Sequence, residues 1–224
     1  MNRSYDLFFI PWVGKEYTRS IKNKRILVLG ASHYCNHTED CPYFKNCTDE
    51  QKKNSRLFDR RCPHNDNLPI SQQTNIEVQL FLDGESDNKS YNVFTDFMVN
   101  RMKFAESKHK LWNSIAYMNY IQFMLPHMKT ENYDISERDY TAFCETVAHY
   151  EPNIIIVWGS PVGDALKEHG QDDVRLPDAD INYVFKQQIA ERECVFVNCY
   201  HPSNLYGRFT NDTDNFARQL RLIL

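Results

Sequence analysis

The sequence predicts a doubly wound α/β fold, with a parallel sheet of about four strands covered by helices on both faces. Three observations carry this. Four apolar runs, at 24–30, 115–120, 153–159 and 193–200, have the length and near-continuous hydrophobicity of strands buried on both faces. Helical patterns alternate with them, as expected when crossover helices join parallel strands. Each run also delivers polar residues at or near its carboxyl end, the edge at which such sheets bind ligands.

The elements follow in order. Phe9-Ile10-Pro11-Trp12-Val13-Gly14-Lys15-Glu16-Tyr17 precedes the first strand and reads either as a lid on the core or as a segment that sets a ring or a backbone N–H beside the pocket. Arg25-Ile26-Leu27-Val28-Leu29-Gly30 is an uninterrupted strand closed by glycine, and Ala31-Ser32-His33-Tyr34 forms a polar loop at its end. Residues 35–67 show no clear periodicity and read as an inserted or metal-pinned loop rich in Cys and His. Helices are expected at about 71–82 and 91–105, ahead of the strand that carries Asn119. Ser136-Glu137-Arg138-Asp139 resembles a capping box with Asp in place of the usual Glu. Tyr140, Phe143, Cys144 and Val147 follow it at helical spacing toward Tyr150, and Pro152 bars continuation. After the third strand, Ser160 offers an N-cap, Pro161 suits the first turn and Gly170 closes the helix. The fourth strand enters His201-Pro202-Ser203-Asn204-Leu205, and a last helix at about 212–224 turns Phe216, Leu220 and Ile223 inward.

The chain has 224 residues and no internal repeat or long Gly/Ser/Pro linker, so 1–224 reads as one domain. With 13 Tyr and 14 Phe against 7 Gly, its core is expected to be rich in rings. A net charge of −4 does not suggest a nonspecific polyanion binder, although Lys22-Asn23-Lys24-Arg25 and similar clusters allow a basic face. No stretch approaches the ~20 apolar residues of a membrane helix, and the apolar segment at 7–13 is too short for a signal-peptide core. A cytoplasmic protein without a membrane partner is expected. Seven cysteines is an odd number, which argues for thiols or metal ligands rather than a disulfide framework. Cys35, Cys41, Cys47 and Cys62 cluster near His33, His37 and His64. They read either as a zinc or iron–sulfur site or as separate thiols, since no Cys-x-x-Cys pair is present.

His201 places an imidazole at a strand end with a hydroxyl two residues on. Such a ring can donate to a carbonyl oxygen on which charge develops, and Ser203 can hold a phosphate; a loop histidine bonded to backbone carbonyls is the plainer reading. The context extends the motif. Gly30-Ala31-Ser32-His33-Tyr34, Trp112 leading to Tyr117-Met118-Asn119, Val157-Trp158-Gly159 and His201-Pro202-Ser203-Asn204-Leu205 occur in that order at strand ends. Together they resemble the uracil-DNA glycosylase superfamily over about residues 24–224. The resemblance implies a three-layer α/β/α sandwich with a central four-stranded parallel sheet. It also implies a monomer that acts on DNA, hydrolysing the N-glycosidic bond of a flipped-out uracil or modified pyrimidine. No cofactor is required for that chemistry, although some members carry a four-cysteine cluster.

Carried over residue by residue, His201 resembles the group that stabilises the departing base's oxygen, and Asn119 the amide that reads the base edge. Gly30 opens the pocket loop, and Tyr34 matches a tyrosine that closes the pocket against 5-substituted pyrimidines. Ser203 resembles a phosphate contact, Leu205 resembles the wedge that fills the vacated stack, and Ser160 is placed with them on the DNA side. The first motif departs from the family. Ser32 stands where a carboxylate or amide is usual, and a hydroxyl is not anionic at neutral pH. Three readings fit this departure: another carboxylate serves, with Glu16 as a candidate; leaving-group stabilisation suffices; or the pocket binds without cutting. His33 adds a titratable ring that could polarise water, bind phosphate or ligate metal, so His201, Ser32 and His33 form the candidate catalytic group. The leading function is a DNA glycosylase. A non-catalytic base- or nucleic-acid-binding module is the alternative, and a third class is an unrelated α/β enzyme acting on a small molecule.

Overall fold

All four apolar runs become neighbouring strands. The structure, a computed structural model, describes residues 7–19, 21–34, 70–122, 124–125, 137–169, 174–176, 178–179, 184–204 and 207–224. The strands among these residues are β1 (Trp12–Val13), β2 (Ile26–Gly30), β3 (His33–Tyr34), β4 (Ile115–Asn119), β5 (Met124–Leu125), β6 (Ile154–Trp158), β7 (Val174–Arg175), β8 (Val184–Ile189) and β9 (Arg192–Cys199). The helices are α1 (Gln73–Asp83), α2 (Lys89–Asp96), α3 (Lys108–Ser114), α4 (Glu137–Tyr150), α5 (Ser160–His169), α6 (Arg208–Asn211) and α7 (Thr213–Ile223).

β4, β2, β6 and β9 lie side by side in that order and run parallel, with Gly30 level with Asn119 and Trp158 level with Cys199. The sheet is wider than the four strands expected. Among the described residues it has seven, because β1 joins β4 antiparallel at one edge, while β8 and then β7 continue antiparallel beyond β9 at the other. β1 and β7 are two residues each, too short for an alternation to register. The β8–β9 hairpin turns on Ala190 and Glu191, both with positive φ (48° and 65°). A two-residue hairpin needs that left-handed pair, which is usually signalled by Asn-Gly or Asp-Gly. Ala-Glu carries no such signal.

Side chains alternate across the central strands into two cores. Ile26, Val28, Ile154 and Ile156 pack on one face with Val78 and Phe81 of α1, Tyr91 and Phe94 of α2, Trp112 of α3 and Phe216 of α7. Leu27, Leu29, Ile155 and Val157 face the other way, onto Phe143 of α4 and Val162 and Leu166 of α5. Each fully buried Val, Leu, Ile or Phe contributes roughly 1.5–3 kcal/mol of transfer free energy. Packing on both faces therefore fixes the rigid edge on which the loops sit.

Three helices differ from expectation: α2, α3 and the one-turn α6, which precedes the expected last helix. α2 starts before residue 91 because Asn88 caps it, its side-chain oxygen accepting from the backbone N–H groups of Ser90 (3.0 Å) and Tyr91 (3.2 Å). The helical path ends sooner than 105, passing through a π turn at Phe97–Arg101 before Lys103 takes φ +57°. α3 was unforeseen; Ser107 caps it, accepting from the Lys110 N–H at 3.3 Å, and it buries Leu111 and Trp112. The chain leaves β2 for β4 on one side and β6 for β9 on the other. The switch point therefore falls between β2 and β6, where a crevice opens at the carboxyl ends.

Candidate active site

A cleft of about 720 Å³ occupies that crevice. Its walls come from Ala31–Tyr34 after β2, Asn119 of β4, Gly159–Pro161 after β6 and Tyr200, His201, Ser203 and Asn204 after β9, with Glu77 of α1 and Tyr91 of α2 closing one side. A smaller cavity of about 220 Å³ shares Gly159, Ser160 and Tyr200 with it.

His201 begins a tight turn. Pro202 supplies the fixed φ that suits the second turn position, and the Asn204 N–H donates back to the His201 carbonyl at 2.9 Å. That turn brings Ser203 onto the ring, its backbone N–H 3.3 Å and its Oγ 2.9 Å from His201 Nδ1. A backbone N–H can only donate, so Nδ1 is the acceptor and the neutral ring carries its proton on Nε2. Burial lowers the His201 pKa to about 4, which keeps the ring neutral at physiological pH. The Trp158 ring meets it edge to face at 6.0 Å. The result is an oriented, uncharged N–H donor at the cleft.

Asn119 is 3% exposed, and its Oδ1 accepts the Tyr117 hydroxyl at 2.9 Å. One carbonyl lone pair and the amide nitrogen remain to meet a ligand, so the side chain offers an acceptor and donors together. Its backbone is anchored as well. Gln122 Nε2 donates to the Asn119 carbonyl at 2.8 Å, while Gln122 Oε1 accepts the N–H groups of Phe8 and Phe9, each at 2.9 Å. Gly30 makes room for this arrangement, since a Cβ there would stand 2.3 Å from Tyr117 Oη and 2.5 Å from Asn119 Oδ1. Of the two readings of the aromatic segment before the first strand, the structure shows the lid, and none of residues 9–17 lines the cleft. The segment covers the core with Phe9, and through Phe8, Phe9 and Gln122 it braces the strand end that holds Asn119.

The loop after β2 rearranges the expected catalytic group. His33 is 1% exposed and both ring nitrogens have protein partners: Nδ1 lies 3.0 Å from Glu77 Oε1 and Nε2 2.8 Å from Thr74 Oγ1. Phe9 packs edge-on against it at 4.6 Å. His33 is therefore a residue that positions Glu77, not an open acid or base. Ser32 Oγ and the Trp158 indole N–H are enclosed and without a hydrogen-bond partner among the described residues, and both residues line the cleft. Tyr34 lines it too, held by the pairing of β3 with β5.

Glu77 was not singled out in the sequence. Its Oε1 accepts from Gln73 Nε2 at 3.0 Å besides the His33 contact, and its Oε2 accepts the Tyr91 hydroxyl at 3.3 Å. Burial pushes its carboxyl upward, but the His33 charge and the hydrogen bonds from His33, Gln73 and Tyr91 outweigh this and hold it below the ordinary carboxylate value. A readable signal did exist. Thr74, Val78 and Phe81 form the buried stripe of α1, and position 77 falls on that same face. Glu16, the carboxylate proposed from sequence, does not line the cleft; it pairs with Lys110 at 3.5 Å.

Ser160 is exposed where α5 begins at the cleft, and Arg208 of α6 adds a cation to its lining. Leu205 and the cysteines Cys35, Cys41, Cys47 and Cys62 lie outside the described residues. Among the described residues no group of three or more His, Cys, Asp or Glu side chains is arranged to hold a metal ion, and no helix is long and apolar enough to cross a membrane. No family model matches the chain, and a search of curated proteins finds no match to it.

Proposed function

We propose that the protein is a DNA glycosylase that hydrolyses the N-glycosidic bond of a uracil or modified pyrimidine flipped out of DNA. The observation that carries this reading is His201, held neutral and with its proton on Nε2, in one cleft with the anchored amide of Asn119. β4 and β9 are three strand spacings apart, roughly 14 Å at ~4.8 Å each. The cleft that both residues line, about 720 Å³, has room for a pyrimidine ring. Asn119 then reads the pyrimidine edge, and His201 donates to the carbonyl oxygen on which negative charge builds as the base departs. A neutral donor suits this task because the charge it meets develops only as the bond breaks.

Tyr34 limits bulk at the pyrimidine ring. Ser160, Arg208 and the Ser203 side of the cleft face the phosphates, and Leu205 takes the vacated stack. A zinc or iron–sulfur site at Cys35, Cys41, Cys47 and Cys62 belongs to the same proposal and is tested by metal content and absorbance of the purified protein. The second reading, a module that binds a base without cutting, draws support from Ser32 in place of a carboxylate. Oligonucleotides carrying uracil or 5-substituted pyrimidines, incubated with the protein and then treated with alkali, separate the two. Scission at the pyrimidine supports the enzyme; retained binding with no scission on any oligonucleotide supports the module.

A further inference from the structure

We propose that Glu77 is the catalytic carboxylate of this cleft, reached from α1 instead of from the loop after β2; this rests on the glycosylase reading above. Among the described residues that line the cleft, Glu77 is the one Asp or Glu. It is both held and available. His33 and Gln73 fix Oε1, Tyr91 approaches Oε2 at 3.3 Å, and 30% of the side chain stays exposed. Thr74 and Phe9 lock the His33 ring in turn, so two shells of packing aim one carboxylate.

The chemistry needs this group. As the C1′–N bond breaks, its electron pair leaves on the base, whose oxygen takes the His201 hydrogen bond. Glu77 faces the positive charge on the sugar, accepts a proton from the water whose oxygen bonds to C1′ and then releases it to solvent, while the base anion takes up a proton from solvent. One water is consumed, and free base and an abasic sugar result.

The test uses the full chain and the oligonucleotide panel described above, read as single-turnover release of free base. Glu77→Gln keeps the shape and an acceptor for His33 while removing the charge. It is expected to slow release at least about 100-fold while oligonucleotide affinity stays within about threefold, the scale of a lost acid–base group. Glu77→Ala is expected to regain at least about tenfold in added formate, which Glu77→Gln cannot, because only the alanine leaves space for a replacement carboxylate. Release by Glu77→Gln at close to the wild-type rate, or a Glu77→Ala variant that binds oligonucleotide but ignores formate, overturns the assignment and leaves the glycosylase reading standing. A wild-type protein that releases no base overturns that reading, and the assignment falls with it.

Discussion

The two sides of the cleft are tuned by opposite means. On one, a four-residue turn holds His201, and burial alone drives its pKa down to about 4, leaving a neutral donor. On the other, Glu77 is ionised despite burial, because His33, Gln73 and Tyr91 stabilise its charge. Burial works against charge in both cases and wins only where no partner answers it. An uncharged donor and a fixed anion in one cleft suit a reaction in which a leaving base turns negative while a sugar turns positive.

If that contrast is functional, its halves should break differently. The largest effect is expected from His201→Ala, which removes the donor at the developing oxyanion and should slow base release about 100- to 1,000-fold. Its melting temperature should stay near wild type, because the ring's hydrogen bonds run to Ser203 in its own turn. Equal loss of activity and stability would make His201 a structural residue. Gly30→Ala comes next. A Cβ 2.3 Å from Tyr117 Oη must push the Tyr117–Asn119 pair aside. Overpacking of this kind costs about 1–3 kcal/mol, and a melt paired with an oligonucleotide-binding titration should show both the destabilisation and weaker base binding.

The pH dependence of stability sharpens the comparison further. Between about 4 and the ordinary 6.5 the unfolded chain binds a proton at His201 that the folded chain refuses. Stability should therefore rise with pH across that window and level off above it. Glu77 adds in the same sense at lower pH: its depressed pKa contributes stability above the ordinary carboxylate range that is lost as pH falls through its folded value. Thermal melts of wild type and His201→Gln across this range should show a shallower slope in the variant, and identical slopes would contradict the neutral-ring account. The smallest effect is expected from Ser203→Ala. It removes one hydrogen bond to Nδ1 but keeps the backbone N–H, a change worth about 0.5–1.5 kcal/mol and so a roughly 2- to 10-fold drop in release rate.

How much of this was legible in the sequence follows the same divide. The central strands and the His201 turn depend on continuous apolar runs and on residues three apart, so local pattern reveals them. The Glu77 side depends on contacts spanning 41 and 44 residues, from His33 to Thr74 and to Glu77. No local pattern records these. His33 illustrates the difficulty: its place after a strand suggested an open titratable ring, and only the packing of α1 and Phe9 around it shows that both nitrogens are occupied. The wider sheet escaped for another reason, since Ala190-Glu191 makes a hairpin turn without turn-forming residues.

The most direct measurement is alkali-revealed strand scission of uracil- and 5-substituted-pyrimidine oligonucleotides by the wild-type protein beside His201→Ala. The account predicts scission at the pyrimidine by wild type and its near-complete loss in the variant, with both proteins binding the oligonucleotide. Bound but intact oligonucleotides with the wild-type protein would contradict it.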